Sequence, residues 1–296
     1  MTSPELLVVG SIALDRLQGD FGTVEEELGG SALYFALAAS LVLPVRMMGP
    51  VGRDGVSLLH DAIAGRPIDA SLVEVLDAPT YRWQAHQEGG RNIDLGSRDS
   101  IYDEWDPKPP PEFHGWAFVG SMRPDRQAQV MHGLVGSGLL AADAMLSYVR
   151  AQTPEARDVL RHARWYFCNR EEFAALGGRE PETFRREWDL EGLVVKAGAD
   201  GVTAYTGDRM VHVPAPKNHP VVDTTGAGDA VAAGMLAHWL TTGADARALP
   251  ESVAWGVACA SLTIADIGMR GLLSASRAQL IQRVEEVIKT ITPGPH

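Results

Sequence analysis

Asp229 stands at the end of a Thr-Thr-Gly-Ala-Gly turn, residues 224–228, and at the start of a segment where Val231, Met235, Leu236, Trp239 and Leu240 recur at helical spacing. Gly226 and Gly228 open backbone angles closed to other residues, so consecutive N–H groups can aim into one small volume. At a helix start those donors join unpaired amides and the positive end of the macrodipole, which favour an anion. An Asp before an apolar helix commonly serves as nothing more than an N-cap. The combination suggests more. A base for a hydroxyl proton, set beside fixed dipoles for a moving phosphoryl group, is what phosphoryl transfer to an alcohol needs.

Other residues could share that chemistry. Leu6–Val9 followed by Gly10 reads as a fully buried strand delivering Ser11 and Asp15 at its C-terminal end, the edge where open α/β sheets bind ligands. Gly29-Gly30 opens an apolar helix from Ser31 to about Leu41, either as a tight turn or to let a ligand approach the backbone. Asn169 and Glu172 follow a third strand with the spacing of a capping box. Lys196 closes the strand Gly192–Lys196, ahead of the turn Ala197–Gly201 and the strand Val202–Tyr205; it could reach a phosphate or lie solvated at the strand end.

The elements that must hold these residues are legible from patterning. Phe21–Leu28 reads as a strand outside the main sheet, and Thr80–Leu95 as a hairpin turning at Glu88-Gly89-Gly90, with Arg82 and Arg91 as surface charges. Asp99–Asp106 and the prolines at 107 and 109–111 lead out of it. From Phe113 onward strands and helices alternate as a parallel sheet requires. Trp116–Gly120, Gly138–Ala142 and Trp165–Cys168 read as strands; segments near Asp125–Val135, Pro154–Arg161 and Arg170–Leu176 read as helices. Val211–Pro216 reads as a short strand, Glu251–Ile264 and Gln279–Ile288 as helices, and Thr292–His296 as a frayed tail.

Asp223-Thr-Thr-Gly-Ala-Gly-Asp229 with Gly234 in the helix behind it, the Gly29-Gly30 pair, and Gly49, Gly52 and Asp54 in GPVGRDG together resemble the ribokinase-like (PfkB) carbohydrate kinase family. The resemblance implies an α/β three-layer fold with a mostly parallel central sheet flanked by helices. It implies one domain over 1–296, with a small β-sheet lid formed from about 12–28 and 79–106. Asp229 becomes the general base and Gly226, Ala227 and Gly228 the anion hole. Asp15, Gly29, Gly30 and Tyr34 become substrate-binding; Lys196, Gly198, Gly201 and Thr225 fall to the nucleotide. Asn169 and Glu172 hold Mg²⁺ through its waters, and the helix Glu251–Ile264 walls the adenine. Tyr34 departs from the pattern, standing where many sugar kinases carry Asn, and with the aromatic hairpin it could stack on a nucleobase.

The activity so implied is ATP-dependent phosphorylation of a hydroxymethyl group on a sugar or nucleoside. Some relatives add a potassium ion beside the anion-hole loop and a homodimer through the lid. Two alternatives stay open: a catalytically silent, ligand-binding pseudokinase, and a vitamin kinase of the pyridoxal or hydroxymethylpyrimidine type. No Gly-Lys-Ser/Thr sequence occurs, which argues against a P-loop enzyme.

Composition narrows the partners. At 296 residues and 45% hydrophobic content the chain can bury one large α/β core. A formal net charge of -12 argues against nucleic acid or an anionic membrane as partner. Cys168 and Cys259 lie far apart in apolar runs and read as buried thiols of a reducing compartment. The opening MTSPELLVVG lacks the basic segment and apolar core of a signal peptide, so a cytoplasmic location is expected.

Overall fold

The computed structural model describes residues 5–207 and 209–291, so the tail expectation for 292–296 lies outside the described residues. Short, uniformly apolar runs cannot keep one face wet, and they become the central strands. The strands in chain order are β1 Leu6–Val9, β2 Ala13–Gly19, β3 Gly22–Gly29, β4 Val45–Gly52, β5 Ile68–Leu76, β6 Arg82–Glu88 and β7 Arg91–Arg98. They continue with β8 Trp116–Val119, β9 Leu139–Ala142, β10 Trp165–Asn169, β11 Gly192–Lys196, β12 Val202–Thr206 and β13 Arg209–Val213. Nine of them form one sheet in the order β13-β12-β11-β10-β9-β8-β1-β4-β5, and four form a second sheet, β3-β2-β6-β7.

From β5 across to β11 every neighbouring pair in the large sheet is parallel. The uniform run of parallel strands expected after Phe113 stops there, because β12 and β13 pair antiparallel. The reason is connection length. A turn over 197–201 cannot make the crossover that a parallel partner needs, so the chain folds back as a hairpin. The last strand is also shifted from the expected 211–216 to 209–213, since Pro214 and Pro216 have no N–H to give a ladder.

Helices cover both faces. One core layer gathers the helices Ser31–Ser40, Ala227–Thr241 and Leu249–Thr263 over Leu6, Val8, Phe118 and Phe167. The other gathers helices Pro124–Gly133 and Thr153–His162 over Leu7, Val9 and Tyr166. The helices Ala227–Thr241 and Leu249–Thr263 approach closely because each lacks a side chain at the crossing. A Cβ on Gly234 would meet the Trp255 carbonyl, and one on Gly256 the Val231 carbonyl. Cys168 and Cys259 are both buried free thiols. Asp99–Asp106 leaves the small sheet as a helical turn, Ile101–Glu104, whose Ile101 and Tyr102, with the following Trp105, enter the second core layer. Among the described residues no helix is long and apolar enough to cross a membrane.

The small sheet is anchored by charge pairs. Arg82, expected as a plain surface charge, donates to Asp54 and to Glu26, each at 2.9 Å. Asp54 in turn accepts from the Thr80 amide at 2.9 Å and the Thr80 hydroxyl at 2.6 Å. The GPVGRDG segment thus clamps the root of the β6–β7 hairpin.

Candidate active site

Ligand-competent residues collect where the parallel strands end. Asn169 closes β10, Lys196 closes β11, and Asp143 follows β9 by one residue. This carboxyl edge faces the start of helix Ala227–Thr241, whose first turn holds Asp229. Gly226, the residue before that helix, adopts φ 72°, and a Cβ there would run into the Tyr34 ring. Only glycine fits both demands.

Of the turn's amides, that of Ala227 donates to the Thr224 carbonyl at 3.3 Å, and the Ala230 amide to the Gly226 carbonyl at 3.0 Å. Among the described residues, the Gly226 and Gly228 amides have no protein acceptor. Two unpaired donors at a helix start can serve an anion. Lys196 borders it: a Cβ on Gly228 would lie 2.8 Å from the Lys196 Nζ.

Lys196 is neither solvated nor free. Its Nζ donates to the Asp143 carboxylate at 2.5 Å, and Asp143 is buried. Burial alone would push the ammonium down, but Asp143 and Glu172 outweigh it and hold Lys196 above the usual lysine range. Glu172 is pushed up to about 7, chiefly by burial. Asp229 is raised well above the ordinary carboxylate range, first by burial and then by the charge of Asp143, with Lys196 pulling the other way. Three carboxyl groups thus share one ammonium, and burial raises two of them toward the protonated form. Asp143 is the member that patterning did not single out; its signal was an acidic residue one step past a buried strand at the ligand edge.

Asn169 and Glu172 form a complete capping box. The Asn169 Oδ1 accepts from the Glu171 amide at 2.8 Å and the Glu172 amide at 2.9 Å, while the Asn169 amide donates to Glu172 Oε2 at 2.7 Å. That engages the Asn169 oxygen and one oxygen of Glu172. The carboxylate oxygens of Asp143, Glu172 and Asp229 do not converge within 4.8 Å of one another as ready ligands for a bare ion. They suit a hydrated one, which Mg²⁺ usually remains.

Of the turn glycines, Gly201 has φ 93° and its open side faces the Val213 carbonyl, so its role there is to let β12 and β13 pass. Gly198 faces open space. Thr225 is buried: it donates to Asp223 Oδ1 through its amide at 2.9 Å and its hydroxyl at 2.7 Å, and that hydroxyl accepts from Asn92 Nδ2 of β7 at 2.9 Å.

A second group of candidate residues is built on β2. Asp15 is 3% exposed, Gly29 packs against its carboxylate, and Gly30 packs against the Ser11 carbonyl. Its Oδ1 has no hydrogen-bond partner. Burial, then the nearby Asp223, raises Asp15 well above the ordinary range, while the Trp83 amide opposes this. Tyr34 is 1% exposed with its ring against Gly226 and its hydroxyl unpartnered. Its ring face is covered, so it presents no open stacking surface.

The sequence profile of the pfkB family of carbohydrate kinases matches residues 140–275. Across more of the chain, it is 30% identical over 265 residues to the ATP-dependent ribose-1-phosphate kinase of Halopiger xanaduensis, covering 86% of this chain and 84% of that one. The chain belongs to the pfkB family of carbohydrate kinases. The cytidine kinase of Thermococcus kodakarensis, another relative, is 26% identical over 272 residues, covering 86% of this chain and 93% of its own. The pfkB-family fold is shared with the Burkholderia thailandensis nucleoside kinase solved in complex with inosine, at TM-score 0.77 and 21% identity over 98% of this chain and 100% of that one.

Proposed function

We propose that this pfkB-family chain is an ATP-dependent kinase that phosphorylates a hydroxymethyl group of a sugar or nucleoside. The observation that carries the reading is Asp229, half-buried beside two amides without acceptors and one residue from the Lys196 ammonium. Asp229 takes the hydroxyl proton as the oxygen attacks. The Gly226–Gly228 turn, Ala227 included, stabilises the transferring phosphoryl group by fixed dipoles that need no reorganisation. Asp15, with its free Oδ1, accepts from substrate hydroxyls beside Gly29 and Gly30, and the Tyr34 hydroxyl supplies a donor.

The ATP phosphates run along Lys196, Gly198, Gly201 and Thr225. Glu172 and Asn169 orient the waters of Mg²⁺, which neutralises nucleotide charge when bound; the carboxyl groups sharing the Lys196 ammonium account for the fit. A potassium ion beside the loop is consistent with this chemistry. The small sheet serves as the lid over 12–28 and 79–106, keeping water from competing for the phosphoryl group. Its outer strand exposes Ile93 and Leu95, a surface suited to pairing two copies. Two buried thiols suit a reducing cytoplasm, and the charge of -12 gives no footprint for nucleic acid or membrane.

Relatives with free nucleosides and a sugar phosphate in their names frame the test. Purified protein with ATP and Mg²⁺ should transfer phosphate to at least one member of a panel of pentoses, ribose 1-phosphate and nucleosides. Binding of panel members in a thermal-shift assay without ADP formation from ATP would instead favour the pseudokinase. Turnover of pyridoxal or hydroxymethylpyrimidine alone would favour a vitamin kinase.

A further inference from the structure

We propose that His132, Asp158 and His162 form a binding site for a divalent transition-metal ion of the zinc class, remote from the catalytic edge. One ligand atom from each of the three lies within 4.8 Å of the others, the only such group among the described residues. Asp158 and His162 are one turn apart on helix Thr153–His162, which puts them on one face. His132 comes from the last turn of helix Pro124–Gly133. Its Nε2 is 2.9 Å from Asp158 Oδ2, and the two imidazole rings sit edge to face with centroids 4.4 Å apart.

Two features point to a cation. Both helices return from the carboxyl edge of the parallel sheet, so their C-terminal ends meet at the opposite edge, far from Asp229. Two negative dipole ends and a carboxylate then converge on the same small volume. Two imidazoles and one carboxylate, partly exposed, are a borderline-soft donor set that suits zinc better than magnesium. Arg161 lies 3.4 Å from Asp158 Oδ1, and His162 Nδ1 lies 2.8 Å from the Asp158 carbonyl; the arginine must swing outward when metal enters. The bound ion would staple helix 124–133 to helix 153–162, and the second of these feeds directly into β10.

The test uses the full chain stripped with a chelator and titrated with Co²⁺, whose visible absorption reports nitrogen ligation in a low-coordinate site. One equivalent should give that absorption, and Zn²⁺ should displace it. The His132→Ala and His162→Ala variants should bind at least about tenfold more weakly. Glu172→Gln, which alters the catalytic cluster, should keep the absorption intact. Asp158→Asn offers a second route should a histidine variant fold poorly, and thermal melts in chelator establish that each variant is folded. Absence of a stoichiometric Co²⁺ band in wild type, or unchanged affinity in folded His132→Ala and Asp158→Asn proteins, would overturn the site.

Discussion

The two groups of buried carboxylates, one around Asp229 and one around Asp15, are handled in opposite ways. In the Asp229 group, Asp143, Glu172 and Asp229 share the Lys196 ammonium, and Asp143 is bound to it directly. In the Asp15 group no cation touches the buried carboxylate, whose Oδ1 is unpaired. Asp223, 1% exposed and close to Asp15, shows the contrast inside that second group. It accepts the Thr225 amide and hydroxyl on one oxygen and the Gly268 amide on the other at 2.8 Å. A carboxylate whose oxygens are filled by backbone holds a loop. One left open at a similar depth has an acceptor that the fold itself does not use. The proposed function assigns phosphates and a metal to the group with charge pairing, and neutral hydroxyls to the group with the unmet acceptor.

The sharpest way to break that division is Asp229→Asn. It should lower kcat by roughly 10²–10⁴-fold while substrate binding persists; an unchanged kcat would remove Asp229 from the chemistry. Next, Asp15→Asn should raise KM for the acceptor by roughly 10- to 100-fold, the loss of a hydrogen bond to a charged acceptor, and leave KM for ATP nearly unmoved. The same change should raise the melting temperature at neutral pH, because burial disfavours the Asp15 carboxylate. Asp223→Asn should lower it, because only one of its terminal atoms can still accept, and the NH₂ would face either the Gly268 amide or the Thr225 amide and hydroxyl. If both variants shift stability the same way, the distinction between the two aspartates fails.

Glu172 separates the groups by pH. Raised to about 7, its folded form favours the proton more than the unfolded chain does, so this contribution is full below the unfolded value and fades as pH climbs toward 7. Glu172→Gln does not titrate. Relative to wild type it should gain stability between pH 5 and pH 8, by on the order of 1–3 kcal/mol in urea melts without Mg²⁺. The smallest effect belongs to Asn92→Ala, which cuts the β7 link to Thr225. A loss of about 1 kcal/mol should appear as faster hydrogen exchange in β7 with kcat changed less than tenfold.

Much of this was readable before any coordinates. Val221–Leu240 announced its turn and helix because glycine placement and apolar period are local properties, and β10 with its cap followed from the same logic. The small sheet was legible as two separate segments because each alternates and ends in turn residues. Partners brought together from distant strands were not legible. Nothing near Lys196 in the chain signals Asp143, 53 positions away, and the covering of Tyr34 by Gly226 depends on two helices meeting. The turn to antiparallel pairing at β12 was foreshadowed only by the shortness of the loop before it. Arg82 looked like a surface charge since its partners, Glu26 and Asp54, come from two other stretches.

β2 belongs to the small sheet, yet it starts only four positions after β1 ends in the large one. Asp15 therefore rides on the moving part of any clamshell motion, while Asp229 stays with the frame. A tilt of the small sheet would change the spacing between Asp15 and Asp229, which the proposed reading makes the acceptor's grip and its base. On that reading, capture of the acceptor and alignment for attack would become a single mechanical event, and an alcohol too short to span both carboxylates would be held without being turned over.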